Sequence, residues 1–102
     1  MKTKTVLLPL TSLEIELLYE TLEMEIQIEE DNCDVNKKLV KHYKKIDKKL
    51  GYSNRFTQDE IGTICSLSEE QYNHFYDTHE KLANDYELLY QKVHALDVNL
   101  EE

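Results

Sequence analysis

The chain has no tryptophan, one proline, one arginine, two glycines and two cysteines among its 102 residues. Two glycines leave little material for a phosphate-cradling loop, and neither an HExxH nor a GxSxG motif is present. Catalysis is therefore not expected, and no cofactor or metal is called for. No apolar run approaches the roughly 20 residues of a membrane-spanning helix, and the opening MKTKTVLLPL has too short an apolar stretch for a secretory leader. Cys33 and Cys65 lie in separate segments without CxxC spacing. That suits two ordinary thiols in a reducing compartment, so a cytoplasmic location is expected and no membrane partner.

Acidic residues are abundant: 21 Asp and Glu stand against 12 Lys and Arg, for a formal net charge of −9. That balance disfavours a general nucleic-acid binder. The charge is also blocked. Residues 1–36 carry −7, residues 37–55 carry +7, and residues 56–102 carry −9. A basic helix between two acidic segments is the simplest arrangement, with their fields offsetting one another or serving a partner.

Helix signals dominate the pattern. Residues 3–8 are β-branched and apolar and stop at Pro9, which predicts a short extended arm. Thr11 and Glu14 have capping-box spacing, and Leu10 and Ile15 occupy hydrophobic-staple positions, so a first helix should begin at Thr11 and run to about Glu30. It carries two apolar stripes. Ile15, Leu18, Tyr19, Leu22 and Ile26 form one; Leu13, Leu17, Met24 and Ile28 form the other, with glutamates between them. Two stripes imply cover on both sides, from the chain itself or from a second copy.

Asp34 is the expected cap of a second helix over about residues 35–50, with Val35, Leu39, Tyr43, Ile46 and Leu50 inward and lysines outward. Gly51 suits a left-handed terminator, Tyr52 is placed to fold back on Ile46, and GYSNRF reads as a mobile tip. Thr57 with Glu60, and Phe56 with Ile61, repeat the double cap before a short helix at 58–65. Ser68 with Gln71, and Leu67 with Tyr72, predict a third start and a helix over 69–97, about 40 Å long. Its stripe runs Tyr72, Phe75, His79, Leu82, Tyr86, Leu89, Val93, Leu96 and Leu100, widened by Tyr76, Ala83 and Tyr90. The expected fold is all-α: a three- to four-helix bundle with a short N-terminal extended arm and a long C-terminal helix, as a single helical domain over 1–102.

The segment TQDEIGTICSLSEEQYNHFY, residues 57–76, resembles a helix-turn-helix and is similar to the fourth region of bacterial sigma factors. The likeness rests on its Glu-Ile-Gly step, its Leu-Ser turn and the apolar positions Ile61, Ile64, Leu67 and Tyr72. The resemblance implies a second helix led by Glu69, Glu70, Gln71, Asn73 and His74 into the major groove. Two carboxylates there would repel phosphate. The strand-like start before Leu8-Pro9 and a capped helix resembles a ribbon-helix-helix repressor. That likeness implies an intertwined dimer through residues 3–8, although the first helix is long for that family.

The functional expectation is a small acidic non-enzymatic protein-interaction module, a homodimer, of the accessory or inhibitory kind encoded by phages and mobile elements, engaging a basic partner protein. The acidic face assigned to that work is Glu14, Glu16, Glu20, Glu23, Glu25, Glu69, Glu70, Asp77, Glu80 and Glu87. The basic face is Lys37, Lys41, Lys44, Lys45 and Lys48, which could also meet phosphates without sequence preference. The dimer stripe is Leu13, Leu17, Met24, Ile28, Tyr76, Tyr86, Tyr90 and Val93, since tyrosine-rich stripes suit interfaces. A helix-turn-helix-like DNA-binding transcriptional regulator is the alternative. A metal site on Glu70, His74 and Asp77 is a third reading, set by their helical spacing.

Overall fold

The computed structural model describes residues 5–31 and 36–101, with side chains through Leu96. It is an all-α bundle of four helices: α1 (Ser12–Asp31), α2 (Lys37–Lys49), α3 (Gln58–Phe75) and α4 (Glu80–Glu101). A two-stranded antiparallel ribbon joins β1 (Val6–Leu7) to β2 (Arg55–Phe56), with Val6 opposite Phe56 and Leu7 opposite Arg55. The extended arm therefore pairs within its own chain, and the ribbon-helix-helix arrangement of two intertwined copies is not the use made of it.

Two of the three doubly signalled starts form. The Thr11 N–H donates to Glu14 Oε1 at 2.9 Å and the Glu14 N–H to Thr11 Oγ1 at 3.2 Å. Thr57 and Glu60 make the same pair of bonds, at 2.8 and 3.3 Å. The second helix is capped by Asn36, whose side chain accepts from the Leu39 N–H, and not by Asp34. Asp34, Cys33 and Val35 lie outside the described residues. At the other end Gly51 has φ +79°, as a left-handed terminator requires. Tyr52 does not fold back on Ile46: it is 88% exposed. The loop expected as a mobile tip is tied down, because Gly51 N–H donates to Asn54 Oδ1 and Leu8 N–H to the Asn54 carbonyl.

The largest departure concerns residues 58–97. No turn forms at Leu67-Ser68; α3 runs unbroken to Phe75. Ser68 is fully buried and donates to the Ile64 carbonyl at 2.8 Å, so its hydroxyl is satisfied inside the helix and caps nothing. Leu67 beside it is also buried. The break comes instead at Tyr76–His79, where the N–H groups of Thr78 and His79 both donate to the Phe75 carbonyl. Asp77 and Thr78 are turn formers, but the apolar stripe steps across them without a gap. The 40 Å helix is thus folded in two. Phe75 stacks on Tyr86 with ring centroids 6.0 Å apart, and Cys65 Sγ lies 4.0 Å from His94 Nδ1, so α3 and α4 form an antiparallel hairpin along the predicted stripe. His79 is not packed in that stripe. It is exposed at the head of α4, edge-on to Phe75.

One core unites all four helices and the ribbon. Leu18, Leu22, Ile46, Leu50, Phe56, Ile61, Ile64, Leu89 and Val93 are wholly excluded from solvent within it. Polar groups that enter the core are matched: Thr21 donates to the Leu17 carbonyl at 2.8 Å, and the Tyr86 hydroxyl lies 3.0 Å from Thr21 Oγ1. Among the described residues no buried side-chain nitrogen or oxygen lacks a partner, as a well-packed interior demands.

Candidate functional site

The two stripes of α1 have different fates. The first faces the core: Leu18 and Leu22 are buried, and Ile15, Tyr19 and Ile26 pack against them. Of the second, only Leu17 is buried. Leu13 is 49% exposed, Met24 43% and Ile28 55%, so the other half of this helix has no cover from its own chain. The assigned dimer stripe accordingly divides. Leu17, Tyr86 and Val93 belong to the chain's own core and cannot meet a partner, and Tyr90 packs partly against that core. Leu13, Met24, Ile28 and Tyr76 remain on the surface.

The acidic residues divide too. Glu14 is buried and engaged: besides its cap it accepts from Lys92 Nζ at 2.6 Å. Burial pushes its carboxyl toward neutrality, but the Lys92 ammonium and the Thr11 N–H and hydroxyl outweigh that and hold it below the usual range. Glu14 is thus a structural residue and leaves the acidic face. Glu16, Glu20, Glu23, Glu69, Glu70, Asp77 and Glu80 are exposed, and Glu25 and Glu87 half-buried. Glu25 on α1 is brought toward Glu70 on α3, with Glu29 nearby. Burial first, then the charges of Glu70 and Glu29, raise its carboxyl above the usual range. Burial and the same three carboxylates, from α1 and α3, raise the Tyr43 phenol on α2.

Direct pairing between the acidic and basic helices is sparse. Among the described residues α1 and α2 share one ion pair, Lys44 Nζ to Glu30 Oε2 at 3.8 Å, with both side chains about half exposed. Such a pair contributes little. The lysines of α2 therefore do not neutralise α1 by contact. Instead two adjoining grooves of opposite sign lie side by side. Glu20, Glu23, Met24, Gln27, Glu30 and Asp31 line the first, on α1. Lys37, Val40, Lys41, Lys44, Lys45 and Lys48 line the second, on α2, and Glu30 borders both. The whole predicted basic face is gathered there, its lysines exposed and Val40 among them buried.

The lysines of the basic groove, and Glu20 and Glu23 of the acidic one, were legible in the sequence; Gln27, Glu30, Asp31 and Val40 belonged to neither expected face, and the adjacency of the two grooves was not legible. The spacing of Lys37, Lys41, Lys44, Lys45 and Lys48 was signal enough for one ridge; only the α1–α2 packing sets it beside the acidic strip. Lys92, one of two lysines in the acidic helix α4, sits in no motif that would have marked it. The proposed metal face does not assemble: Asp77 leaves the helix that carries Glu70 and His74, and among the described residues no group of three or more His, Cys, Asp or Glu is placed to hold a metal ion. Among the same residues no helix is long and apolar enough to cross a membrane. No protein-family model, curated protein or solved structure matches this chain.

Proposed function

We propose that this chain is a small non-enzymatic interaction module that engages a basic partner protein through the outer face of α1. The observation that carries the reading is the company kept by the exposed apolar residues of that helix. Met24 is exposed in a groove it shares with Glu20 and Glu23, and Ile28 is exposed one turn further along; neither glutamate, nor Glu16 earlier on the helix, makes an ion pair among the described residues. Exposed apolar side chains on a helix face that also carries unpaired carboxylates suit an amphipathic basic segment: the apolar contact supplies affinity, and the charges supply rate and selectivity. A DNA-binding reading keeps the lysine ridge of α2 as its support, but no longer a turn between two short helices.

The test uses a labelled amphipathic peptide of lysine and leucine as the probe. Its fluorescence anisotropy is titrated against the protein at low and at moderate salt. Binding should weaken with salt, and Glu16→Gln, Glu20→Gln and Glu23→Gln combined should weaken it by about tenfold at low salt. Binding that ignores both changes would remove the acidic face from the reading. A gel shift with random duplex, lost on Lys41→Glu with Lys45→Glu, would favour the regulator instead.

A further inference from the structure

The two grooves beside Glu30 match in more than sign. The acidic strip runs from Glu20 to Asp31 and the lysine ridge from Lys37 to Lys48. Each is three helical turns, about 17 Å at 1.5 Å per residue. Each also has apolar lining, Met24 and Ile26 in one and Val40 in the other. Because both are lined by Glu30, they adjoin on one side of the α1–α2 pair. A surface that holds complementary halves side by side is self-complementary under a two-fold axis: whatever the first half offers, the second half of another copy accepts.

We propose that a second copy of this chain docks on this side of the α1–α2 pair, the acidic groove of each copy receiving the lysine ridge of the other around a two-fold axis near Glu30. This rests on the reading of the α1 face as a docking surface and names its occupant. The closed arrangement makes every contact twice. It covers Met24 and brings Ile28, one turn beyond it, to the edge of the contact. It also differs from the stripe-on-stripe dimer expected from periodicity, since the core has consumed Leu17, Tyr86 and Val93. Two strips of this length and of helix width bury roughly 700–800 Å² in total, below the size of stable interfaces and in the range of weak, transient ones, so the dimer should be reversible in the micromolar range and sensitive to salt.

Sedimentation velocity on the full chain tests this, with circular dichroism as the folding control. Lys41, Lys45, Glu20 and Glu23 are all exposed, so charge reversal there leaves the core untouched. At low salt and about 50 μM the native chain should sediment as a dimer, and raising salt to about 0.5 M should weaken it at least tenfold. The variant K41E/K45E alone, and E20K/E23K alone, should each be monomeric. Their equimolar mixture should be dimeric, because each then offers the charges the other lacks. A native chain that stays monomeric, or reversal variants that dimerise as it does, would overturn the proposal. So would a mixture that stays monomeric. If the native chain is monomeric yet still binds the lysine–leucine peptide, the dimer falls and the docking reading stands; if it does neither, both fall.

Discussion

Lys92 Nζ lies 2.6 Å from Glu14 Oε1 and 2.9 Å from the Pro9 carbonyl oxygen, so one ammonium on α4 closes the cap of α1 and holds the chain that leads into it. The second capping box repeats the device, with Lys49 Nζ on α2 at 2.6 Å from Glu60 Oε1. Each capping glutamate is nearly excluded from solvent, Glu14 at 8% and Glu60 at 3%. A local motif has thus become a junction between helices. Replacing Lys92 by Met leaves the Glu14 carboxylate without its cation. It should cost about 1–2 kcal/mol, less than for a wholly buried pair because Lys92 is itself partly in water. The double variant Lys92→Met with Glu14→Gln should recover part of that loss, as a urea-denaturation double-mutant cycle would measure. Additive losses would show that the two groups are not coupled.

Acid should act on stability in two opposite steps. Glu25 and Asp47 have carboxyls raised by burial, and by Glu70 with Glu29 in the first case and Glu23 in the second. A carboxyl raised in the folded state destabilises it at neutral pH, and that penalty is relieved as pH falls through the raised value. Glu14 and Glu60 are held low despite their burial by lysine and capping hydrogen bonds, so their contribution is present above the ordinary carboxylate range and lost as pH falls below it. Melting temperature should therefore rise slightly on leaving neutrality and then drop steeply. Glu25→Gln should raise the neutral-pH value and flatten the rise. Glu60→Gln should shallow the drop. A melting temperature that falls steadily from pH 7 in the native chain would contradict this order.

The two glycines should respond oppositely to alanine. A Cβ at Gly51 would stand 3.1 Å from the Tyr19 hydroxyl, in a backbone with φ +79°. That hydroxyl donates to the Leu50 carbonyl, so it is not free to retreat. Gly51→Ala should cost at least about 1 kcal/mol. A Cβ at Gly62 meets nothing within 4 Å, and Gly62 lies inside α3. Gly62→Ala should stabilise by about 0.5–1 kcal/mol, read as a higher melting temperature.

Proline placement separates the observed hairpin from a helix-turn-helix. With a turn at Ser68, Glu69 would be the first residue of a helix and would accept proline. In an unbroken α3 it is interior, and Glu69→Pro should cost about 3 kcal/mol or more. Glu80 opens α4, directly after the Tyr76–His79 turn, so Glu80→Pro should be close to neutral. Reversed outcomes in thermal melts would restore the helix-turn-helix geometry.

What could be read from residues alone was whatever a few neighbours decide among themselves. The caps at Thr11–Glu14 and Thr57–Glu60, the stop at Gly51, the core stripe of α1 and the lysine ridge of α2 all rest on contacts within one or two turns, and the all-α class follows from them. The cap at Ser68 failed because Leu67 and Ser68 are drawn into the core. There the serine bonds its own helix, and a local signal yields to burial. The break at Tyr76–His79 was invisible because the apolar stripe carries through it in regular steps. Only tertiary structure decides that this stripe closes on itself, Phe75 against Tyr86, because each arm of the hairpin then supplies the apolar cover the other needs. The same packing used up half of the expected dimer stripe, claimed Glu14 for Lys92, and set an acidic groove beside a basic one. Charge and periodicity specify what each helix face is; which faces are left over for a partner depends on how the helices meet.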